Sequence, residues 1–249
     1  VILLADVGNS RIKWVSYELG EFRQRGQARH GQESWTELAA RLWQQLPRPQ
    51  RVLMVSVAGP EVRATLTQWI QQTWAIDAEF VVSTAAAFGV RNAYAEPERM
   101  GADRWVAMIA ARALTGQLCY VVDCGTAVTI DALAADGRHL GGVILPGTRL
   151  MREALYRETR QIPPEPGEVR LFGQSTRDGV WGGAAYAVAA AIDGITERMA
   201  ASQGSGLRLL TGGGGSAVLP HLKKSYRLEP DLLFMGLRVI ADGSLSIEY

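Results

Sequence analysis

What the chain has little of narrows the reading first. Its only cysteines are Cys119 and Cys124. They stand five apart on one strand-like run and so point to opposite faces, which reads as two reduced thiols, neither a disulfide nor a metal pair. His30, His139 and His221 are scattered, leaving no His/Cys cluster for zinc. No Walker A sequence and no Gly-x-Ser-x-Gly elbow occurs, which excludes the P-loop and the α/β-hydrolase solutions. The net charge of +1 offers no basic field to nucleic acid, and there is no acidic tail. Apolar runs are too short, or too interrupted by charge, to span a bilayer. The sequence opens directly on a strand-like run, with no basic segment and cleavage site before it, so a cytoplasmic protein without a signal peptide is expected. With 249 residues, 47% hydrophobic and 20% charged, the chain can bury one large core or two modest ones.

What is present is a short pattern used twice. Leu4-Ala5-Asp6-Val7-Gly8-Asn9-Ser10 returns as Val121-Val122-Asp123-Cys124-Gly125-Thr126-Ala127. Each time an apolar strand ends in Asp-x-Gly, followed by small polar residues and another apolar stretch. Glycine lets the backbone approach a ligand closely. The N–H groups of such a turn form an anion-binding nest. Asn9, Ser10 and Thr126 can donate further hydrogen bonds to phosphate oxygens. Asp6 and Asp123 repel phosphate, so their natural role is to hold a cation or its water shell beside it. The plain alternative is two ordinary hairpins with Asp in the turn.

Periodicity orders the rest. Strands are expected over 1–17 (as strand, turn, strand), 51–57, 79–82, 118–122, 127–132, 139–145, 208–210, around 226–228 and over 245–247. Helices are expected over 33–45, 61–74, the stretch leading to Leu114, 148–157 and 182–201, with a proline-rich loop over 161–173. Each half is thus a hairpin meander followed by alternating helices and strands. This predicts a duplicated α/β fold with a cleft between the halves, not one doubly wound sheet. The boundary falls near Thr115-Gly116-Gln117, giving domains 1–115 and 116–249.

Two further segments carry chemistry. In Tyr94-Ala95-Glu96-Pro97-Glu98-Arg99-Met100-Gly101-Ala102-Asp103-Arg104, Asp103 sits where a helix begins. It is either an N-cap or a base for a hydroxyl attacking a γ-phosphate. Arg104 offers a planar fork to a substrate carboxylate, or else makes a surface ion pair. Thr211-Gly212-Gly213-Gly214-Gly215-Ser216-Ala217 follows a strand. Its readings are a dinucleotide fingerprint with Glu229 as ribose acid, a glycine loop packed on adenine or ribose, and a flexible turn. Gly141-Gly142 to Pro146-Gly147 reads as a structural strand between glycines, and Ser175 or Thr176 as the cap of the long alanine-rich helix.

Taken together, these residues resemble the type III pantothenate kinases, within the superfamily that unites acetate and sugar kinases, heat-shock cognate chaperones and actin. The resemblance covers essentially the whole chain. It rests on Asp6-x-Gly8-Asn9-Ser10, Gly101-x-Asp103-Arg104 after Tyr94, Asp123-x-Gly125-Thr126-Ala127-x-Thr129-x-Asp131, Gly141-Gly142 to Pro146-Gly147, and the Thr211-Gly212-Gly213 loop. It implies duplicated actin-like, ribonuclease H-like domains, each with a mixed central sheet. It also implies transfer of the ATP γ-phosphate to the primary hydroxyl of pantothenate, the first step of coenzyme A biosynthesis. Asp103 would be the base. Asp6, Val7, Gly8, Asn9, Ser10, Arg11, Ile12, Lys13 and Thr126 would contact ATP, which Mg2+ accompanies. Asp123 would hold a monovalent cation, K+ or NH4+. Tyr94, Gly101, Ala102, Asp103, Arg104 and Thr176 would face pantothenate. A homodimer is implied, the partner helping to close the substrate pocket, with no nucleic acid or membrane partner. One departure stands out: Gly214 and Gly215 occupy places where the family often has an acidic or amide residue, which bears on the ribose contact and the choice of nucleotide. The alternatives are another small-alcohol kinase of the superfamily and a silent nucleotide-sensing regulator.

Overall fold

The computed structural model describes residues 1–31 and 33–243. It divides into two compact units, one of residues 1–114 together with the chain from Asp231 on, the other of Thr115–Pro230.

The first unit begins with β1 (Ile2–Val7), β2 (Arg11–Glu18) and β3 (Glu21–Arg29), an antiparallel meander. After α1 (Trp35–Trp43) comes β4 (Arg51–Ser56), parallel to β1. After α2 (Pro60–Trp74) comes β5 (Ala78–Phe80), parallel to β4. The sheet order is β3-β2-β1-β4-β5, a mixed sheet. Alternation along the strands sends Leu3, Ala5, Val7, Val52 and Met54 into one core with Leu38, Trp43, Leu66, Trp69, Ile70 and Trp74 of the two helices. Fully burying each of these large side chains is worth roughly 1.5–3 kcal/mol. Trp69 meets Trp74 edge-on at 5.1 Å between ring centroids. A small hairpin, β6 (Ala86–Ala87) with β7 (Val90–Arg91), leads through a 3-10 turn at Pro97–Arg99 into α3 (Ala102–Leu114).

The second unit repeats the plan. β8 (Cys119–Cys124), β9 (Ala127–Leu133) and β10 (His139–Pro146) form the meander. α4 (Thr148–Glu158) and α5 (Thr176–Gln203) follow, then β11 (Leu207–Thr211), the short α6 (Gly215–Val218) and β12 (Arg227–Leu228). β11 is parallel to both β8 and β12, and the order β10-β9-β8-β11-β12 matches the first sheet strand for strand. Val122, Cys124, Val128 and Ile130 pack against Val188, Ala189 and Ile192 of α5. The duplicated mixed-sheet fold expected from the sequence is therefore present. α7 (Leu232–Asp242) closes the described chain and returns to the first unit, where it packs on α3, β1 and β4. The helices meet closely because Gly236 has no side chain: a Cβ there would lie 2.2 Å from the Val106 carbonyl oxygen.

Several elements differ from expectation. β3, the β6–β7 hairpin and α7 have no counterpart in the sequence reading. α5 starts six residues earlier than its glycines suggested, at Thr176, because the Ser175 hydroxyl caps it by accepting the Asp178 N–H at 3.1 Å. The glycine loop leads into one turn of α6 and a 3-10 turn at Leu219–His221. The expected strand at 245–247 lies outside the described residues. Among the described residues no helix is long and apolar enough to cross a membrane.

Candidate functional site

The two Asp-x-Gly turns fold alike. In the first unit the Gly8 N–H donates to the Arg11 carbonyl at 3.0 Å; in the second the Gly125 N–H donates to the Ala127 carbonyl at 2.9 Å. A Cβ would stand 3.3 Å from that carbonyl at Gly8 and 3.4 Å at Gly125. Asp6 lies opposite Lys13 across the β1–β2 ladder, and Asp123 opposite Thr129 across β8–β9. Asn9 is exposed, and Asp6, Ser10, Arg11 and Lys13 are partly exposed. Val7 and Ile12 are fully buried in the core, so their side chains are closed to a ligand. His30, far along the chain, also serves this turn: its Nε2 lies 3.0 Å from the Gly8 carbonyl and donates to it, with the ring against Trp35 at 4.6 Å. Nothing in the motif announces His30.

The second turn is the meeting point of three separate segments. The Gly214 N–H donates to the Cys124 carbonyl at 2.8 Å, and the Gly147 N–H to the Thr126 carbonyl at 3.0 Å. Gly147 is so close that a Cβ would sit 2.5 Å from the Gly125 carbonyl oxygen. The Pro146-Gly147 corner, read from the sequence as structural, thus braces the turn. Gly212 has φ +87°, and a Cβ there would lie 2.2 Å from Asp123 Oδ1 and 2.6 Å from the Cys124 carbonyl oxygen. The glycine run is therefore neither a free flexible turn nor a dinucleotide fingerprint. It is pressed onto the Asp123 turn, and Glu229 is already ion-paired with Arg227 at 2.5 Å. Thr176 is exposed in the first turn of α5. Beneath the turn Cys124 is a free thiol, and burial pushes its pKa up to about 12. Cys119 is a buried thiol outside any disulfide.

The segment from Tyr94 to Arg104 belongs to the first unit. The Gly101 carbonyl accepts the Trp105 N–H at 3.1 Å, the first helical bond of α3. Asp103 is thus not the N-cap but the second residue of the helix, and its Oδ1 accepts the Arg104 N–H at 2.8 Å. The Gly101-x-Asp103 spacing has a steric cause: a Cβ on residue 101 would lie 2.6 Å from that carboxylate oxygen. Ala102 is buried beside it. Arg104 does not lie on the surface, being only 5% exposed. Its Nη1 donates to the Tyr94 hydroxyl at 2.7 Å, and its guanidinium stands 5.6 Å from the centroid of the same ring. Two expected acceptor contacts, ten residues apart, are one structure.

Comparison with known proteins decides the family. A family model described as type III pantothenate kinase matches residues 2–198. A type III pantothenate kinase of Nitrosococcus oceani is 37% identical, covering 98% of this chain and 95% of the relative. That of Acidovorax ebreus is 39% identical, covering 96% and 95%. The chain belongs to the type III pantothenate kinase family. Solved structures extend the fold beyond the type III pantothenate kinases. Component A of the (R)-2-hydroxyglutaryl-CoA dehydratase of Acidaminococcus fermentans superposes with a TM-score of 0.59 at 14% identity, over 95% of this chain and 94% of that one. The activator of 2-hydroxyisocaproyl-CoA dehydratase from Clostridium difficile, solved with bound ADPNP, gives 0.54 at 11%, over 100% and 99%. At such identities the likeness is one of fold, the actin-like one.

Proposed function

We propose that this chain transfers the γ-phosphate of ATP to the primary hydroxyl of pantothenate, giving 4'-phosphopantothenate in the first step of coenzyme A biosynthesis, with Asp103 as the base. The observation that carries the reading is the pairing of a carboxylate at the start of α3 with the buried guanidinium that follows it. Arg104, held on Tyr94 at 2.7 Å, offers a fixed fork to the carboxylate of an acidic acceptor. Asp103 beside it takes the proton of the acceptor hydroxyl as the oxygen attacks phosphorus. Gly101 and Ala102 line the same bend.

Each turn offers ATP what a polyphosphate needs. The Asp6 to Lys13 turn provides backbone N–H groups, the hydroxyl and amide of Ser10 and Asn9, and the cations Arg11 and Lys13. Thr126 provides the hydroxyl of the second turn. Mg2+ accompanies the nucleotide and neutralises phosphate charge when bound, with Asp6 placed to hold its water shell. A monovalent cation, K+ or NH4+, fits at Asp123. Gly212 is seated so close to that carboxylate that a Cβ there would lie 2.2 Å from Oδ1, which fixes the place of the carboxylate that would face the cation.

The enzyme works in the cytoplasm as a homodimer, with pantothenate and ATP as its partners and neither nucleic acid nor membrane. Large apolar side chains left bare in the second unit support the dimer: Ile144 is 62% exposed and Phe172 82%. The test is an ATP-coupled assay with pantothenate, in potassium against sodium at saturating Mg2+. Potassium-dependent formation of phosphopantothenate is expected. ATP binding without turnover in either salt would remove the reading.

A further inference from the structure

We propose that Asn92 is the positioning residue of the acceptor site, the side chain that sets Tyr94, and through it Arg104, where the acceptor carboxylate is held. The inference rests on the acceptor reading of Arg104 given above.

Asn92 stands directly after the β6–β7 hairpin and two residues before Tyr94. Its backbone N–H donates to the Ala85 carbonyl at 2.9 Å and closes the base of that hairpin. Its side chain then uses both ends. Oδ1 accepts the Tyr94 N–H at 2.9 Å, which fixes the backbone that carries the phenol. Nδ2 donates to Ser83 Oγ at 2.9 Å, with the Thr84 and Pro97 carbonyls each at 3.4 Å. Ser83 is itself buried, at 4% exposure. One carboxamide therefore ties the chain entering the hairpin, the tyrosine, and the 3-10 turn that leads into Gly101 and α3.

The chemistry requires an amide there. Only Asn or Gln presents an acceptor and a two-proton donor on one planar group. The longer Gln would move the donor end away from Ser83. Asp would keep the bond to Tyr94 and lose every donor. The segment from 92 to 101 is otherwise short of regular structure, so the tyrosine has no ladder to hold it. A misplacement of the clamp by a fraction of an ångström is expected to weaken acceptor binding and leave the nucleotide untouched.

The experiment is steady-state kinetics of the full chain with pantothenate and ATP varied separately, for Asn92→Ala, Ser83→Ala and Arg104→Gln, alongside thermal melts. Loss of one or two part-buried hydrogen bonds predicts a pantothenate KM raised by about tenfold for Asn92→Ala and by about threefold for Ser83→Ala. ATP KM and potassium activation should stay within twofold of the parent. A pantothenate KM that is unchanged in Asn92→Ala while Arg104→Gln raises it overturns the positioning role and leaves the acceptor site standing. Equal rises in both KM values overturn it too, since they report general loosening. If Arg104→Gln itself leaves pantothenate KM unchanged, the acceptor reading fails and the inference falls with it. Should Asn92→Ala not fold, Ser83→Ala decides alone, by the same split between the two substrates.

Discussion

Replacing Asp103 by Asn separates a chemical role from a structural one, because almost everything the side chain does for the fold survives. Asp103 is the second residue of α3, and its Oδ1 accepts the Arg104 N–H at 2.8 Å. The amide oxygen of Asn can take the same proton. The volume is unchanged, so the contact across Gly101 is kept. What is lost is one negative charge in the first turn of a helix, about 0.3–1 kcal/mol against the macrodipole. For a unit of this size that is a fall in Tm of only a few degrees. The chemical loss is far larger. A positioned base contributes typically 10²–10⁴-fold, or about 2.7–5.4 kcal/mol of barrier. Turnover should therefore drop by at least two orders of magnitude, with the KM values for pantothenate and ATP within about threefold of the parent. The assay is phosphopantothenate formation under single-substrate variation, beside a melt of the same preparation. An Asp103→Asn enzyme that turns over at the parent rate would leave Asp103 as nothing more than a helix-start residue, and the base would have to be sought elsewhere.

Other expectations concern the ground around the two carboxylates and the buried thiols. Gly101→Ala places a Cβ 2.6 Å from Asp103 Oδ1, so the carboxylate must turn away; kcat should fall at least tenfold while the nucleotide still binds, as read by ADP titration. Asp123→Ala should abolish potassium activation, and an unchanged ranking of K+, NH4+ and Na+ would exclude Asp123 from the cation site. Neither cysteine should react with a thiol reagent at pH 8 until the protein unfolds, because both are buried and burial holds the Cys124 pKa at about 12. Since the unfolded thiol ionises near pH 9 and the folded one only near 12, the Cys124 contribution to stability is full below pH 9 and lost between 9 and 12. Labelling of the native protein at a rate near that of the urea-unfolded chain would contradict this.

The sequence displayed the repeated Asp-x-Gly turns and the meander that carries each, because both are local: an alternating strand, a glycine, another strand. The glycines of the Thr211 to Gly215 run were visible as a motif, but their reason was not. For Gly212 and Gly214 it lies in Asp123 and Cys124, far earlier in the chain, whose atoms stand where a Cβ would come. β3 was missed because Glu21-Phe22-Arg23-Gln24-Arg25-Gly26 is an edge strand with mostly exposed charge and gives no apolar alternation. The place of α7 was equally out of reach. The sequence reading has no helix between the strands expected around 226–228 and at 245–247, and nothing local says that one there would pack on α3 and β1. Asn92 and His30 belong to the same class: each acts on a residue of a motif from outside the motif.

The two halves also show how a repeated turn diverges while its frame is kept. Both sheets have the same strand order, and in both the glycine N–H of Asp-x-Gly closes on the first residue of the next strand. The first turn takes three residues, Gly8 to Ser10, and the second takes two, Gly125 and Thr126. The longer turn has room for Asn9 and Ser10, and the strand that follows carries Arg11 and Lys13. The shorter one has a single hydroxyl and instead gains backbone neighbours, Gly147 on one side and Gly212 to Gly214 on the other. One turn is built from side chains that can donate to phosphate, the other from close-packed backbone around a carboxylate. On the proposed reading this divides the labour of phosphoryl transfer: donors that would follow the charge of the phosphate, and a close-packed cradle that would keep a cation beside its carboxylate. Lengthening the second turn by one glycine after Thr126 should therefore disturb cation activation more than ATP affinity, because it frees Gly147 from the Thr126 carbonyl while leaving the first turn intact. Equal losses in both would mean that the two turns share one task.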